Sequence, residues 1–310
     1  MNGLAKQKKR GNSAGAVRSS RLRNNLVGYG FLLPNLIGCM LFTFIPVVFS
    51  LFISFTDWDY TKGFGNWNFI GIENYINMWS DEWFLSSLKN TLIYTVAVVP
   101  ITIFLALVIS VLIDKYCFAK LPIRLAMLMP YISNVVAVAI VWVMMYSSFG
   151  PFTLFVKALG IKDPPQWLAN YDWALPAIIL MTIWMNVGYS ALIYTSSIQG
   201  LSEDLYEAAD IDGANGIIKF FKITVPLLSP TTFFLVITNI ITSFQVFAPI
   251  QIMTRGGPGT STYVLVYYIY RSAFSYYKMG YGAAMAWILF LLIFLVTIIQ
   301  WRNQKRWSGY

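Results

Sequence analysis

Six stretches of the chain contain no Lys, Arg, Asp or Glu: 26–55, 90–113, 125–148, 174–198, 225–253 and 281–301. Each is at least as long as the roughly 20 apolar residues that an α-helix needs to cross a bilayer core. All 22 basic and 13 acidic residues fall in the tails and connections. Charge is costly to desolvate in lipid, so this segregation is what spanning segments require. The pattern predicts an all-α integral membrane protein with six transmembrane helices.

Composition agrees: 57 % of the 310 residues are hydrophobic, 11 % are charged, and the mean hydropathy is +0.62. A soluble protein of this length cannot bury that much apolar surface. Charge then predicts orientation. Fifteen of the 22 basic residues lie in the N-terminal tail, the second and fourth connections and the C-terminal tail, where Lys115, Lys120, Arg124, Lys219, Lys222, Arg302, Lys305 and Arg306 stand out. The positive-inside rule therefore puts both termini in the cytoplasm. The first apolar stretch is too long for a signal peptide and lacks an A-x-A-like site, so it is read as a retained span. Cys39 and Cys117 fall on different sides of the predicted membrane boundary and are read as inert. The chain has no His, which removes the commonest metal ligand and proton shuttle.

The expected layout is one membrane domain over residues 26–301, with a coupling loop at 199–224. A basic and disordered tail at 1–25 and a cytoplasmic tail at 302–310 flank it. The outward loop 56–89 holds Trp58, Tyr60, Trp67, Tyr75, Trp79 and Trp83. Amphipathic rings favour headgroups, so these residues, with Trp167 and Trp173, read as membrane anchors. Pro130, Pro176 and Pro226 are expected near helix starts, while Pro46, Pro100 and Pro249 should bend spans. Gly256-Gly257-Pro258-Gly259 reads as a tight turn closing the fifth span.

The connection from Gln199 to Thr224 differs from the rest, with five acids and two lysines. Ser202 can cap a helix over Glu203–Asp212, with Glu203 and Asp204 in its first turn and Gly213 as its stop. Leu205, Ala208, Ala209 and Asp212 would share one face and Glu203, Glu207 and Asp210 another. Small alanines admit close approach, and an acidic helix is ill suited to a membrane surface. A protein partner fits it better.

Glu207-Ala208-Ala209, three residues, Gly213, nine residues, then Ile223-Thr224-Val225-Pro226 resembles the EAA signature of binding-protein-dependent ABC permeases. Val225 stands where that family usually has Leu. The run Glu207 to Ala214 is similar to the form found in carbohydrate permeases of the maltose and glycerol-phosphate type. Asn90-Thr91-Leu92, Trp184 and Thr254-Arg255-Gly256-Gly257-Pro258 extend the resemblance over the chain from about residue 26. Ala248 departs from it, since many relatives carry an acid there. The resemblance implies a type I ABC importer permease (MetI-like) fold in a bacterial inner membrane. It also implies a coupling helix, with Glu207, Ala208, Ala209, Asp212, Gly213 and Ala214 seated in an ATPase groove.

The implied partners are a second homologous permease, two cytoplasmic ATPase subunits, an external sugar-binding protein and a sugar, an oligosaccharide before glycerol phosphate or an acidic sugar. No cofactor is expected in this chain. It has no G-x-x-x-x-G-K-[ST] loop, so ATP and its Mg belong to the partner ATPase. Sugars need hydrogen bonds and aromatic stacking, so neutral polar residues at depth are candidates for the substrate path. Asn239, Ser243 and Gln245 in the fifth span and Trp184, Asn186 and Tyr189 in the fourth are named for it, with Asn239 and Ser243 favoured by the resemblance. Helix-to-helix hydrogen bonding is the alternative role for each. A membrane-embedded enzyme would need carboxylates or His at depth, which the spans lack. A self-sufficient channel would need no docking loop.

Overall fold

A computed structural model describes the backbone of residues 29–307 and side chains as far as residue 302. The expected tail at 1–25 and residues 308–310 lie outside the described residues. The chain divides into two units at Ile53/Ser54, and each is described by itself.

In the first unit, helix α1 (Tyr29–Ile53) is almost wholly unburied, with 6 % of its most apolar window covered. Its turn at Met40–Phe44 is π-helical, the Ile45 N–H reaching back to the Met40 carbonyl. Pro46 follows two residues later. A proline inside a helix has no N–H to give and crowds the carbonyl four residues before it, and a widened turn is one way to accommodate this.

The second unit is also helical. It contains α2 (Glu73–Met78), α3 (Glu82–Tyr116), α4 (Lys120–Ile132), α5 (Val135–Met145), α6 (Pro151–Ala158) and α7 (Ala174–Ile198). There follow α8 (Asp204–Ile211), α9 (Gly216–Leu227), α10 (Ser229–Phe244), α11 (Ala248–Met253), α12 (Leu265–Tyr270) and α13 (Met279–Trp307). Helices α1, α3, α7 and α13 are long and apolar enough to cross a membrane. The pairs α4/α5 and α9/α10 reach that length only together, and bend by 94° and 67°. Counting each pair as one span gives the expected six.

The bends have local causes. Pro130 lies in the last turn of α4 rather than at a helix start, and a new helix begins after Ser133. There the Asn134 side chain accepts from the Val136 N–H (2.8 Å), and the Ser133 hydroxyl donates to the Met129 carbonyl (2.7 Å). Pro226 also sits inside its helix, two residues beyond a second π-helical turn at Phe220–Thr224, in the same relation as Pro46 to its own. The fifth span is shorter than expected. It stops at Phe244, and Pro249 enters the separate helix α11 after the break at 245–247. The last helix runs on through the stretch expected as a tail, as far as Trp307.

The core of this unit forms where α3 and α7 pack with α10 on one side and with α5, α11, α12 and α13 on the other. The buried Tyr94 hydroxyl on α3 donates to Thr182 on α7 (2.9 Å), and Tyr194 on α7 donates to Thr232 on α10 (2.8 Å). Such bonds replace water that the bilayer cannot supply. Gly188 on α7 meets α4 so closely that any Cβ would strike the Met127 carbonyl.

Two anchoring expectations are corrected. Trp58 is only 8 % exposed, its ring packs against Phe64 and Trp67, and its indole N–H donates to the Gly63 carbonyl (3.1 Å). Trp167 is buried among Tyr146, Phe152 and Trp173, donating to Thr153 (3.0 Å). Both side chains belong to the protein's interior.

Candidate functional site

The acidic loop folds as expected in outline. Helix α8 has no buried residue. Gly213 takes φ +73°, its N–H bonding the Asp210 carbonyl (3.0 Å) while that of Ala214 bonds Ala209 (2.9 Å). This left-handed stop satisfies carbonyls that the last turn would otherwise leave open. The cap differs from expectation. Glu203, not Ser202, is the capping residue and gives no side-chain bond, and the Ser202 hydroxyl turns to Asp204 (3.2 Å).

Two ties hold α8 against α9. The Tyr206 hydroxyl bonds Thr224 at the π-helical turn (3.0 Å), and Lys219 pairs with Asp210. These ties fix which face is free. Ala209 and Ala214 are half-buried, while Leu205, Glu207, Ala208, Asp212 and Gly213 are exposed. Ile211 is 87 % exposed, a residue that the helical-face reading passed over. Its signal was present in the sequence, as an isoleucine between two acids on a helix turned to water.

The motif residues Asn90-Thr91, in the third turn of α3, hold the segment 260–265, and Thr262 of that segment bonds Thr254 and the Gly257 carbonyl of the second motif. The Asn90 amide donates to the Thr260 (2.7 Å) and Tyr263 (2.9 Å) carbonyls, and the Leu265 N–H donates to the Thr91 hydroxyl (2.8 Å). Tyr267 donates to the Arg255 carbonyl (2.7 Å), holding Arg255 at φ +51° beside Gly256 at φ +85°. Asp81 adds a tie that sequence reasoning missed. One carboxylate oxygen accepts from the Trp83 and Phe84 N–H groups, capping α3, and the other accepts from the Tyr268 and Tyr281 hydroxyls, each at 2.6 Å. Burial raises its pKa, but the four bonds outweigh it and hold the carboxyl below its usual range. An Asp directly before Glu82, the single acid of the first turn, was the available sequence signal.

Residues 83–309 match the family described as "Binding-protein-dependent transport system inner membrane component". The chain belongs to this family. It is 36 % identical over 306 residues to the probable ABC transporter permease protein YesP of Bacillus subtilis (strain 168), covering 97 % of this chain and 98 % of that protein. It is 34 % identical to the sulfoquinovosyl glycerol transport system permease protein SmoG of Agrobacterium fabrum, over 91 % of each. The sn-glycerol-3-phosphate permease UgpA of the same organism is 32 % identical, over 93 % of this chain and 97 % of that one. A chain of a solved bacterial alginate ABC transporter shares the fold, with a TM-score of 0.81 over 93 % of this chain and 97 % of the other at 20 % identity. The chain is thus a multi-pass transport permease, and not an enzyme.

The permease residues named for the substrate path fall into two groups. On α10, Asn239 is 8 % exposed and its amide donates to the Leu235 carbonyl one turn back (2.8 Å). Ser243 is buried one turn further on, and Gln245 is exposed where α10 ends. On α7, the exposed Trp184 ring lies 5.5 Å from that of Trp142, and Tyr189 stacks on Tyr131 at 4.4 Å, with Asn186 half-buried between them in sequence. Helices α7 and α10 pack together, but no side-chain hydrogen bond or ring contact among the described residues joins these two groups.

Proposed function

We propose that this permease forms half of the translocation path of an ATP-driven sugar importer in a bacterial inner membrane and passes the energy of a separate ATPase through α8. The observation that carries the reading is the free face of α8. A short acidic helix is tied down along one side by Tyr206 and Asp210 and presents Glu207, Ala208, Ile211 and Asp212 to a partner. An apolar residue amid acids in water is stabilised when a protein surface covers it. The partners are two cytoplasmic ATPase subunits, which hold ATP and Mg, a second homologous permease, and an external sugar-binding protein. Both termini and the loop 199–224 then face the cytoplasm, in line with the basic side of the chain.

The sugar assignment is supported by the cargo named for one relative, the glycoside sulfoquinovosyl glycerol, while that of another, sn-glycerol-3-phosphate, is a polyol phosphate. The probable permease AmyD of Thermoanaerobacterium thermosulfurigenes, 29 % identical over 94 % of this chain, is named for starch degradation products. Asn239, Ser243 and Gln245 would offer neutral hydrogen-bonding groups, and Trp184 and Tyr189 rings for stacking. An oligosaccharide suits a path without charge.

The test uses the intact complex in proteoliposomes. Glu207→Lys and Gly213→Asp should insert at normal levels yet lose at least about tenfold in uptake and in sugar-stimulated ATP hydrolysis. Normal uptake by both would remove the coupling role from α8. Asn239→Leu should lower uptake while basal ATP hydrolysis persists.

A further inference from the structure

A groove of about 520 Å³ opens between the last turns of α3 and the first turns of α9. Val108, Val111, Leu112, Ile217, Phe220 and Phe221 supply its apolar walls, and Lys115 stands on its rim. The volume is in the range of small-molecule sites, roughly 300–1,000 Å³. We propose that this groove holds an anionic phospholipid of the surrounding membrane, with an acyl chain between α3 and α9 and its phosphate at the Lys115 ammonium.

Three observations select this occupant. The groove lies where a spanning helix leaves the membrane: α3 ends at Tyr116, and the exposed Leu112, Tyr116, Phe118 and Phe221 are suited to lipid tails and their headgroup boundary. The charge is also of the right sign. Lys120 and Arg124 both approach Asp114, at 3.2 and 3.9 Å, and Lys219 pairs with Asp210, whereas Lys115 has no carboxylate within 4.0 Å among the described residues. Its ammonium instead lies 5.5 Å from the Tyr116 ring centroid. Finally, the rim is left open. The nearest atom that a Cβ on Gly216 would meet is that same ammonium, at 3.5 Å, so a side chain there would intrude on the space above the lysine. A basic residue over an apolar slot between helices is the arrangement that recognises an acidic headgroup. Seated there, the lipid would brace α9 at the base of the loop that carries α8.

Lipid binding stands apart from the coupling role and is measured separately. The full complex is exchanged into detergent with equal phosphatidylglycerol and phosphatidylcholine, passed through gel filtration, and its retained lipid weighed by native mass spectrometry. The wild type should keep phosphatidylglycerol over phosphatidylcholine, and Lys115→Glu and the milder Lys115→Gln should cut that retention at least about fivefold at normal complex yield. A photoreactive residue at Ile217 should form adducts with phosphatidylglycerol in membranes. Retention unchanged in both variants overturns the proposal, and so do adducts only to the ATPase or to another permease chain, which would make the groove a protein interface.

Discussion

The corner at the start of α3 and the loop that carries α8 both turn on a glycine in left-handed conformation, yet the two regions are built to opposite ends. At the corner, Gly256 (φ +85°) is closed in by the Tyr263 and Tyr267 rings, and hydrogen bonds donated by Asn90 and Tyr267 and accepted by Thr91 span more than 160 residues of chain or lock the turn directly. At the loop, Gly213 (φ +73°) has open space where a side chain would be, and two side-chain ties are the main restraint on α8. The same backbone conformation serves a rigid joint in one place and an accessible handle in the other. Packing, not the turn, separates the two.

This contrast can be broken most directly at Gly256. Gly256→Val adds ring displacement to left-handed strain and should destabilise the permease by about 2–5 kcal/mol, read as thermal unfolding in detergent. Asn90→Leu strips the Thr260 and Tyr263 carbonyls of their donor and should cost about 1–3 kcal/mol in the same assay. Gly213→Ala meets strain alone, about 1 kcal/mol, so its unfolding temperature should shift least of the three. An equal shift for Gly213→Ala and Gly256→Val would erase the distinction drawn here.

The smallest effect sharpens the corner through pH. Because the Asp81 carboxyl sits below its usual range in the fold, its contribution is complete above about pH 5 and is lost as pH falls through the unfolded value and then the folded one. Asp81→Asn should therefore show a flatter fall in unfolding temperature between pH 5 and 3 than the wild type. Parallel curves would mean that the carboxylate's charge adds nothing to the Tyr268 and Tyr281 bonds.

Long-range features were legible in the sequence where chemistry forces them. Charge cannot enter lipid, so the spans declared themselves, and a glycine after an acidic amphipathic run marked the end of α8. The breaks at 133–134 and 228 were not legible, because Pro130 and Pro226 read equally well as helix starters until the preceding turns are seen. Trp58 and Trp167 misled for a related reason: an indole suits a headgroup layer or a protein interior alike, and only the Phe64, Trp67 and Phe152 rings beside them decide. For the substrate path, sequence could nominate Asn239 and Trp184 by polarity and resemblance. How α7 and α10 bring their side chains to bear depends on packing that no local pattern encodes.

The exposure of Leu205 and Ile211 bears finally on how much of this permease a cell can keep. Uncovered, these apolar side chains stand on a helix fastened at two points, which is the kind of surface that chaperones and proteases patrol. Assembly would hide it. The face of α8 proposed to transmit force is thus also the part of this unit whose apolar side chains most need a partner to cover them.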